Sequence, residues 1–291
     1  MKVHDAFMLF NELDLLEIRL NVLDPYVDYF VISECNKTFS GLGKSFYYNE
    51  NKERFKKFHH KIIHKMFTDC PEHINQVPAS LKQELSKDDI QFNKIMLSIN
   101  GNRHLGLDQP QWLRDFTQRE FVKRGLVDCE EDDIVMLSDL DEIPNPEILR
   151  NLFENIPSNT FAHLMMKMSQ YYINVRKDER WFGTKVCKYV FLKNVESNYM
   201  RNHKNVGLQI ENGGNHLTFL GGSEKIKTKI KSYGHAFDFN LDYVFGNLEN
   251  NINNFQDIFN RPGERYFKVD LDESFPKYIR DNVSTYPAFF L

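Results

Sequence analysis

The sequence predicts an α/β domain with a mixed, mainly parallel sheet flanked by helices. Three observations carry that expectation. The first 35 residues read as strand, helix, strand; an apolar run near the middle ends in two carboxylates; and a helical stretch delivers the chain into that run. A strand–helix–strand unit with parallel strands needs a right-handed crossover, and ligands of such sheets gather beyond the carboxyl ends of the strands.

Ala6 to Phe10 is apolar over strand length and reads as the first strand. Leu13, Leu16, Leu20 and Leu23 recur at helical spacing opposite Asp14, Glu17, Asn21 and Asp24, so Leu13 to Leu23 reads as an amphipathic helix ended by Pro25. Asn11 with Asp14 three residues later resembles a capping arrangement. Tyr29 to Ser33 is the second strand, which puts Asn11, Glu12, Glu34 and Asn36 at strand ends. Gly41 and Gly43 mark a turn, Lys52 to Lys61 a solvated helical face, and Ile62-Ile63 a short strand.

From Asp69 to about Asp108 the chain is polar and interrupted by Pro71, Pro78, Gly101 and Gly106, the signature of a long loop or insertion. Gln111 to Leu126 reads as a helix bearing Trp112, Phe116, Arg119 and Arg124. It feeds the strand Ile134 to Leu137. Glu147 to Asn155 then reads as a short helix, Phe161 to Val175 as one or two strands, and Lys185 to Val195 as another. A basic helix from Lys225 to about Ser232 follows glycine turns at Gly213-Gly214 and Gly221-Gly222, and the remainder reads as helices and loops wrapped on the sheet.

Composition narrows the partners. Lys+Arg 37 against Asp+Glu 41 leave a formal charge of -4, so the balance calls for neither a nucleic acid nor a membrane surface. Cys35, Cys70, Cys129 and Cys187 form no C-x-x-C pair and read as reduced thiols. No run reaches the roughly 18 apolar residues of a membrane span, and the N-terminus enters a strand pattern without a signal-peptide core. The expectation is a soluble intracellular protein. The 25 Phe and 13 Tyr suit stacking on sugars or bases as well as core packing.

The chemistry concentrates at Ile134-Val135-Met136-Leu137-Ser138-Asp139-Leu140-Asp141-Glu142-Ile143-Pro144. Carboxylates at i and i+2 of a strand point the same way, and at a strand end Asp139 and Asp141 can both reach one hard cation such as Mg²⁺ or Mn²⁺. An acidic turn after a buried strand accounts for the spacing equally well, because Asp is a common turn residue.

Longer segments tip the balance. Phe10-Asn11-Glu12-Leu13-Asp14-Leu15-Leu16-Glu17-Ile18-Arg19, Ser33-Glu34-Cys35-Asn36-Lys37-Thr38 and Asp139-Leu140-Asp141-Glu142-Ile143-Pro144 are followed by Gly213-Gly214-Asn215-His216, Gly222-Ser223-Glu224 and Pro276-Lys277-Tyr278. In this order they resemble glycosyltransferase family 17. The resemblance implies a GT-A-like single domain over 1–291, with 1–145 as the nucleotide-sugar-binding half and 146–291 as the acceptor-side half. It also implies a divalent ion, Mn²⁺ or Mg²⁺, a nucleotide-sugar donor that is UDP-linked in the best-known member, and inverting transfer to a glycan or glycoconjugate acceptor. The family commonly has Trp where this chain has Asn215. The family's best-known member is an animal enzyme with a membrane anchor; no counterpart is expected here, and the expectation is a bacterial or viral setting.

The resemblance assigns roles by position. Asp139 and Asp141 fall on the D-x-D and become metal and diphosphate residues; His235 matches no histidine of the family's best-known member and is a further metal candidate only as a residue able to offer a nitrogen ligand. Asn11, Glu12, Glu34 and Arg119 become contacts to the nucleoside or diphosphate. An inverting transfer needs a carboxylate to take the acceptor proton; Glu224 is the first candidate, ahead of Glu211 and Asp238, with His216 beside it as a catalytic residue of the glycine-rich motif. Capping chemistry explains Glu224 as well, and Lys225, Lys227, Lys229 and Lys231 read as a solvated face, with one or two of them near the diphosphate as the alternative. Two other functions compete: a nucleotidyltransferase that makes nucleotide sugars, and a non-catalytic glycan-binding protein. The first should show a glycine-rich phosphate loop near the N-terminus, where this chain has Asn11-Glu12; the second would not need the carboxylate pair.

Overall fold

A computed structural model describes residues 1–73, 76 and 109–291, so most of the loop expected between Asp69 and Asp108 lies outside the described residues. The opening unit is β1 (Val3–Met8), α1 (Leu13–Leu23) and β2 (Tyr29–Cys35), then a single turn α2 (Tyr47–Glu50) and β3 (Ile62–Phe67). Helix α3 (Pro110–Phe121) leads to β4 (Ile134–Asp139), β5 (Glu142–Pro144) and α4 (Pro146–Asn155). Next come β6 (Phe161–Gln170), β7 (Val175–Lys188), α5 (Tyr189–Leu192), α6 (Ser197–Asn202) and β8 (Leu208–Thr218). The chain closes with α7 (Ser223–Ser232), α8 (Leu241–Asn253), β9 (Phe267–Lys268) and α9 (Lys277–Asp281).

The strands make one mixed sheet in the order β3-β2-β1-β4-β7-β6-β8-β5, with β9 on β7. The first four are parallel, so β1, β2, β3 and β4 present their carboxyl ends at one edge. β7 enters antiparallel to β4 and β6, β8 runs parallel to β6, and β5 is antiparallel to β8. The predicted fold class is therefore the observed one: α/β, with the parallel strands grouped in the first half.

Strand periodicity explains why both faces are covered. Phe7, Phe30, Ile32, Ile134 and Met136 pack on the α1 side with Leu16, Leu20 and Leu23. Their neighbours Ala6, Val31, Val135 and Leu137 point the other way, against Val122 and Leu126. Strands buried on both faces read as continuous apolar runs rather than alternating ones. Burial of α7 and α8 forms a further cluster, with Ile226, Ile230, Val244 and Leu248 around Tyr171.

Several expectations are corrected. β1 lies earlier than Ala6 to Phe10, because Val3 and His4 pair with Ile134 and Val135. The strand expected from Lys185 to Val195 is the end of β7, and 189–192 form α5 instead. α1 starts after Glu12 with no side-chain cap, so the Asn11–Asp14 capping arrangement is not formed. Pro144 closes β5, an edge strand, where a residue without an N–H costs no ladder bond.

Candidate active site

The turn that presents the carboxylates is built on an arginine from α1. Arg19 is fully buried and donates to both oxygens of Asp5 on β1, at 2.8 and 2.6 Å. Its remaining protons go to Ser138 Oγ at 2.8 Å and to the carbonyls of Asp139, Leu140 and Glu142 at 3.3, 3.2 and 2.6 Å. A planar guanidinium with five donors suits this task, since a lysine has three donors and no fixed fork. The backbone of the D-x-D turn is thus held from beneath by the sheet's first strand and first helix.

Gly214 completes the turn from the other side. It has φ +132, and a Cβ there would come within 2.2 Å of the Ile143 carbonyl oxygen. Only glycine lets β8 approach β5 this closely while adopting that backbone. The approach places His216 opposite Glu142 in the register and brings its Nε2 to 3.4 Å from Asp141 Oδ1. Trp181 of β7 stacks on the His216 ring, with centroids 4.5 Å apart.

Both aspartates sit among cations. Asp139 receives Arg119 of α3 on Oδ1 at 2.5 Å and Arg201 of α6 on Oδ2 at 2.6 Å. Burial alone would raise the Asp139 pKa, but the two guanidiniums outweigh it and hold the carboxyl well below the usual range. Asp141 behaves likewise: burial opposes ionisation, while Lys229 of α7, at 2.8 Å from Oδ2, and His216 keep it ionised. Lys229 also reaches Glu12 Oε1 at 3.1 Å. Burial would lower its pKa, and Asp141 and Glu12 reverse the direction. Glu142 differs. Its Oε1 accepts the Trp181 indole at 2.7 Å and its Oε2 the Asp139 backbone N–H at 3.3 Å, while burial and the neighbouring Asp139 raise its pKa.

A cleft of about 500 Å³ opens at the carboxyl ends of β1, β2 and β4. Glu12, Asp139, Asp141, Arg119, Arg201 and Lys229 line its polar floor. Its aromatic wall holds Phe10, Phe39, Trp112, Phe116, Tyr233 and His235, with Trp112 and His235 edge to face at 4.5 Å. Across Asp139 and Arg201 lies a smaller cavity of about 230 Å³, bounded by Ser138, Glu142, Trp181, Phe182, Lys185 and Lys204. Burial pushes the Lys185 ammonium down to about 8, against the pull of Glu142.

The expected site residues therefore divide. Glu12, Arg119, Asp139, Asp141 and His235 line the cleft. Asn11 is not among the residues lining either cavity; its N–H donates to Glu12 at 3.2 Å. Glu34 is fully buried, and its carboxylate serves the Tyr48 N–H and His64 Nε2, the latter at 2.8 Å, so it is not available to a ligand in the cleft. His216 sits behind Asp141 rather than on the wall. Glu224 projects outward, 84% exposed, paired with Lys227. It lies outside both cavities, because the α7 face that turns inward carries Ile226, Ile230 and Lys229. The rivals fare no better as free bases: Glu211 is exposed and 3.0 Å from Arg180, and Asp238 is bound to His235. Arg19, Glu142, Trp181, Lys185 and Arg201 carried no sequence signal of their own; Arg19 and Glu142 stand inside the two motifs named for other residues.

The donor set suits a hard divalent ion in part. His235 Nδ1 lies 2.7 Å from Asp238 Oδ2, and since a carboxylate only accepts, this bond leaves Nε2 for a ligand. Asp141 adds oxygen on the same cleft. The Asp139 oxygens face Arg119 and Arg201 and those of Asp141 face His216 and Lys229, so an ion on Asp141 would take the position of the Lys229 ammonium. Among the described residues, the group whose ligand atoms all lie within 4.8 Å of one another is elsewhere: His4, Cys129 and Asp133. There Asp133 already accepts the N–H groups of Lys2 and Glu130 at 2.7 and 3.0 Å and faces His4 Nε2 at 3.3 Å, so the cluster closes the start of β1 against β4.

A mixed, largely parallel α/β sheet flanked by helices, with paired carboxylates, arginines and an aromatic wall at the ends of its parallel strands, is consistent with a GT-A-like single domain. The family model for glycosyltransferase family 17 matches residues 1–100 and 80–284, and the chain belongs to that family. It is accordingly a glycosyltransferase. No curated protein matches the chain. Among the described residues, no helix is long and apolar enough to cross a membrane.

Proposed function

We propose that the large cleft binds a nucleotide-sugar donor and that transfer occurs where it meets the smaller cavity. The nucleobase stacks against the Trp112, Phe39 and Tyr233 wall, and the diphosphate lies at the Asp139–Asp141 turn, with Arg119, Arg201 and Lys229 around it. The supporting observation is this one cleft, in which an aromatic wall, the Asp139–Asp141 pair and the cations Arg119, Arg201 and Lys229 beside it converge at the ends of parallel strands. A leaving diphosphate gains negative charge as the glycosidic bond breaks, and fixed cations stabilise that charge in the transition state. Asp141 and His235 are the residues that would hold a divalent ion in this cleft, and such an ion would supply Lewis-acid stabilisation of the leaving group.

The acceptor proton goes to Glu142 in this reading. It lines the smaller cavity, and among the described residues no cation lies within 4.0 Å of its carboxylate. Trp181 and the Asp139 N–H fix its orientation. A panel of nucleotide sugars with Mn²⁺, read out as nucleoside diphosphate release, tests the proposal. Release from at least one donor, lost in Asp141→Ala, is expected; no release from any donor overturns it.

A further inference from the structure

The geometry points to the smaller cavity as an acceptor subsite for a sugar bearing a phosphate or carboxylate group; this rests on the nucleotide-sugar reading above. Four cationic side chains line the cavity, Arg119, Lys185, Arg201 and Lys204, against two carboxylates, Asp139 and Glu142. Arg119 and Arg201 are answered by Asp139, and Arg119 also by Asp115 at 2.7 Å. Glu142 acts on Lys185, which leaves Lys204 as the cation that no carboxylate of the cavity answers. Lys185 donates to the carbonyls of Phe182 and Gly183, which satisfy its hydrogen bonds without cancelling its charge. Lys204 is exposed, with its ammonium 5.6 Å from the Phe182 ring centroid, and among the described residues no carboxylate lies within 4.0 Å of it.

A positive surplus in a recess with low-dielectric walls concentrates anions. The donor diphosphate does not account for it, because in the proposed pose the diphosphate lies at the turn among Arg119, Arg201 and Lys229, whereas Lys185 and Lys204 line the smaller cavity and not the large cleft. The recess also has a flat aromatic side, the Trp181 ring backed by His216, of the kind sugar rings stack on. It meets the large cleft at Met8, Arg119, Asp139, Arg201 and Asn202, so a sugar held there stands next to the donor's reacting end. The anionic group reaches Lys204 and Lys185 while the ring lies on Trp181.

Matched acceptor pairs test this: N-acetylglucosamine against its 6-phosphate, and glucose against glucuronate, each with the donor that supports diphosphate release. The acidic member of each pair is expected to show at least about tenfold higher kcat/KM, the effect of one favourable charge contact outside bulk water. High salt should shrink that preference. Lys204→Glu, a change at an exposed position, should lower it about tenfold.

Equal or better use of the neutral members overturns the inference while leaving the nucleotide-sugar reading intact. So does Lys204→Glu raising the donor KM with the acceptor preference unchanged, which would assign the surplus charge to the diphosphate. Release to water that neither acidic sugar alters also overturns it. No release from any donor removes the nucleotide-sugar reading and this inference together.

Discussion

Replacing Arg19 with Met removes the support beneath the D-x-D turn and should be the most damaging single change outside the cleft itself. The side chains are similar in length, so the variant tests the guanidinium rather than the packing. Asp5, fully buried, loses both of its charged donors, and the carbonyls of Asp139, Leu140 and Glu142 each lose one. Ser138 Oγ retains a partner in Thr184 at 2.7 Å. Removing one member of a buried ion pair costs about 3–5 kcal/mol, because a charge is left without compensation. Against a total stability of about 5–15 kcal/mol, this is a large share. With an m-value of about 3 kcal/mol/M for urea, the midpoint should fall by about 1–1.7 M. The double variant Asp5→Leu with Arg19→Met leaves no buried charge behind and should recover more than half of the loss, giving a clear coupling in a double-mutant cycle. A midpoint shift under about 0.3 M for Arg19→Met, or strict additivity in the cycle, would refute the argument that this pair holds the turn.

Three further outcomes follow from the site. Gly214→Ala places a Cβ 2.2 Å from the Ile143 carbonyl at a positive φ, so a melting-temperature loss of several degrees and reduced activity are expected; an unchanged melting temperature would contradict the close approach. Glu142→Gln keeps an oxygen for the Trp181 indole but cannot take a proton, and kcat should fall at least about 100-fold with little change in donor KM. Lys185 gives a pH signature: its folded pKa, about 8, lies below the ordinary lysine value of 10.5, so between those limits the unfolded chain binds the extra proton and stability rises with pH. Urea midpoints across this window should rise more steeply for the natural protein than for Lys185→Met, and parallel profiles would contradict the assignment.

The sequence made the frame of this protein legible because the frame depends on local patterns. Leucines at helical spacing define α1, continuous apolar runs define β1, β2 and β4, and the D-x-D stands where an apolar run stops. Resemblance across several segments added the family. What stayed hidden were the partners brought in from afar. Arg201 meets Asp139 across 62 residues and Lys229 meets Asp141 across 88, and nothing in either local pattern separates these cations from the solvated lysines beside them. Lys229 escapes that face because it stands between Ile226 and Ile230, the two residues by which α7 anchors to the core. Glu224 misled for the converse reason. A glycine turn followed by an acidic residue at a helix start looks the same whether that residue faces a ligand or water, and the inward face of α7 begins two residues later. Arg19 sits in a segment whose resemblance was plain, yet its role rests on three carbonyls some 120 residues away.

In the proposed complex the donor diphosphate sits at the Asp139–Asp141 turn, between Lys229 on one side and Arg119 and Arg201 on the other. A crystal structure of the protein soaked with UDP and Mn²⁺, with the ion located by its anomalous signal, tests this most directly. The predicted result is a diphosphate at that turn, an Mn²⁺ peak on Asp141 and His235, and the Lys229 ammonium moved off Asp141. A diphosphate bound away from the turn, or an Mn²⁺ peak elsewhere with Lys229 still on Asp141, would contradict it.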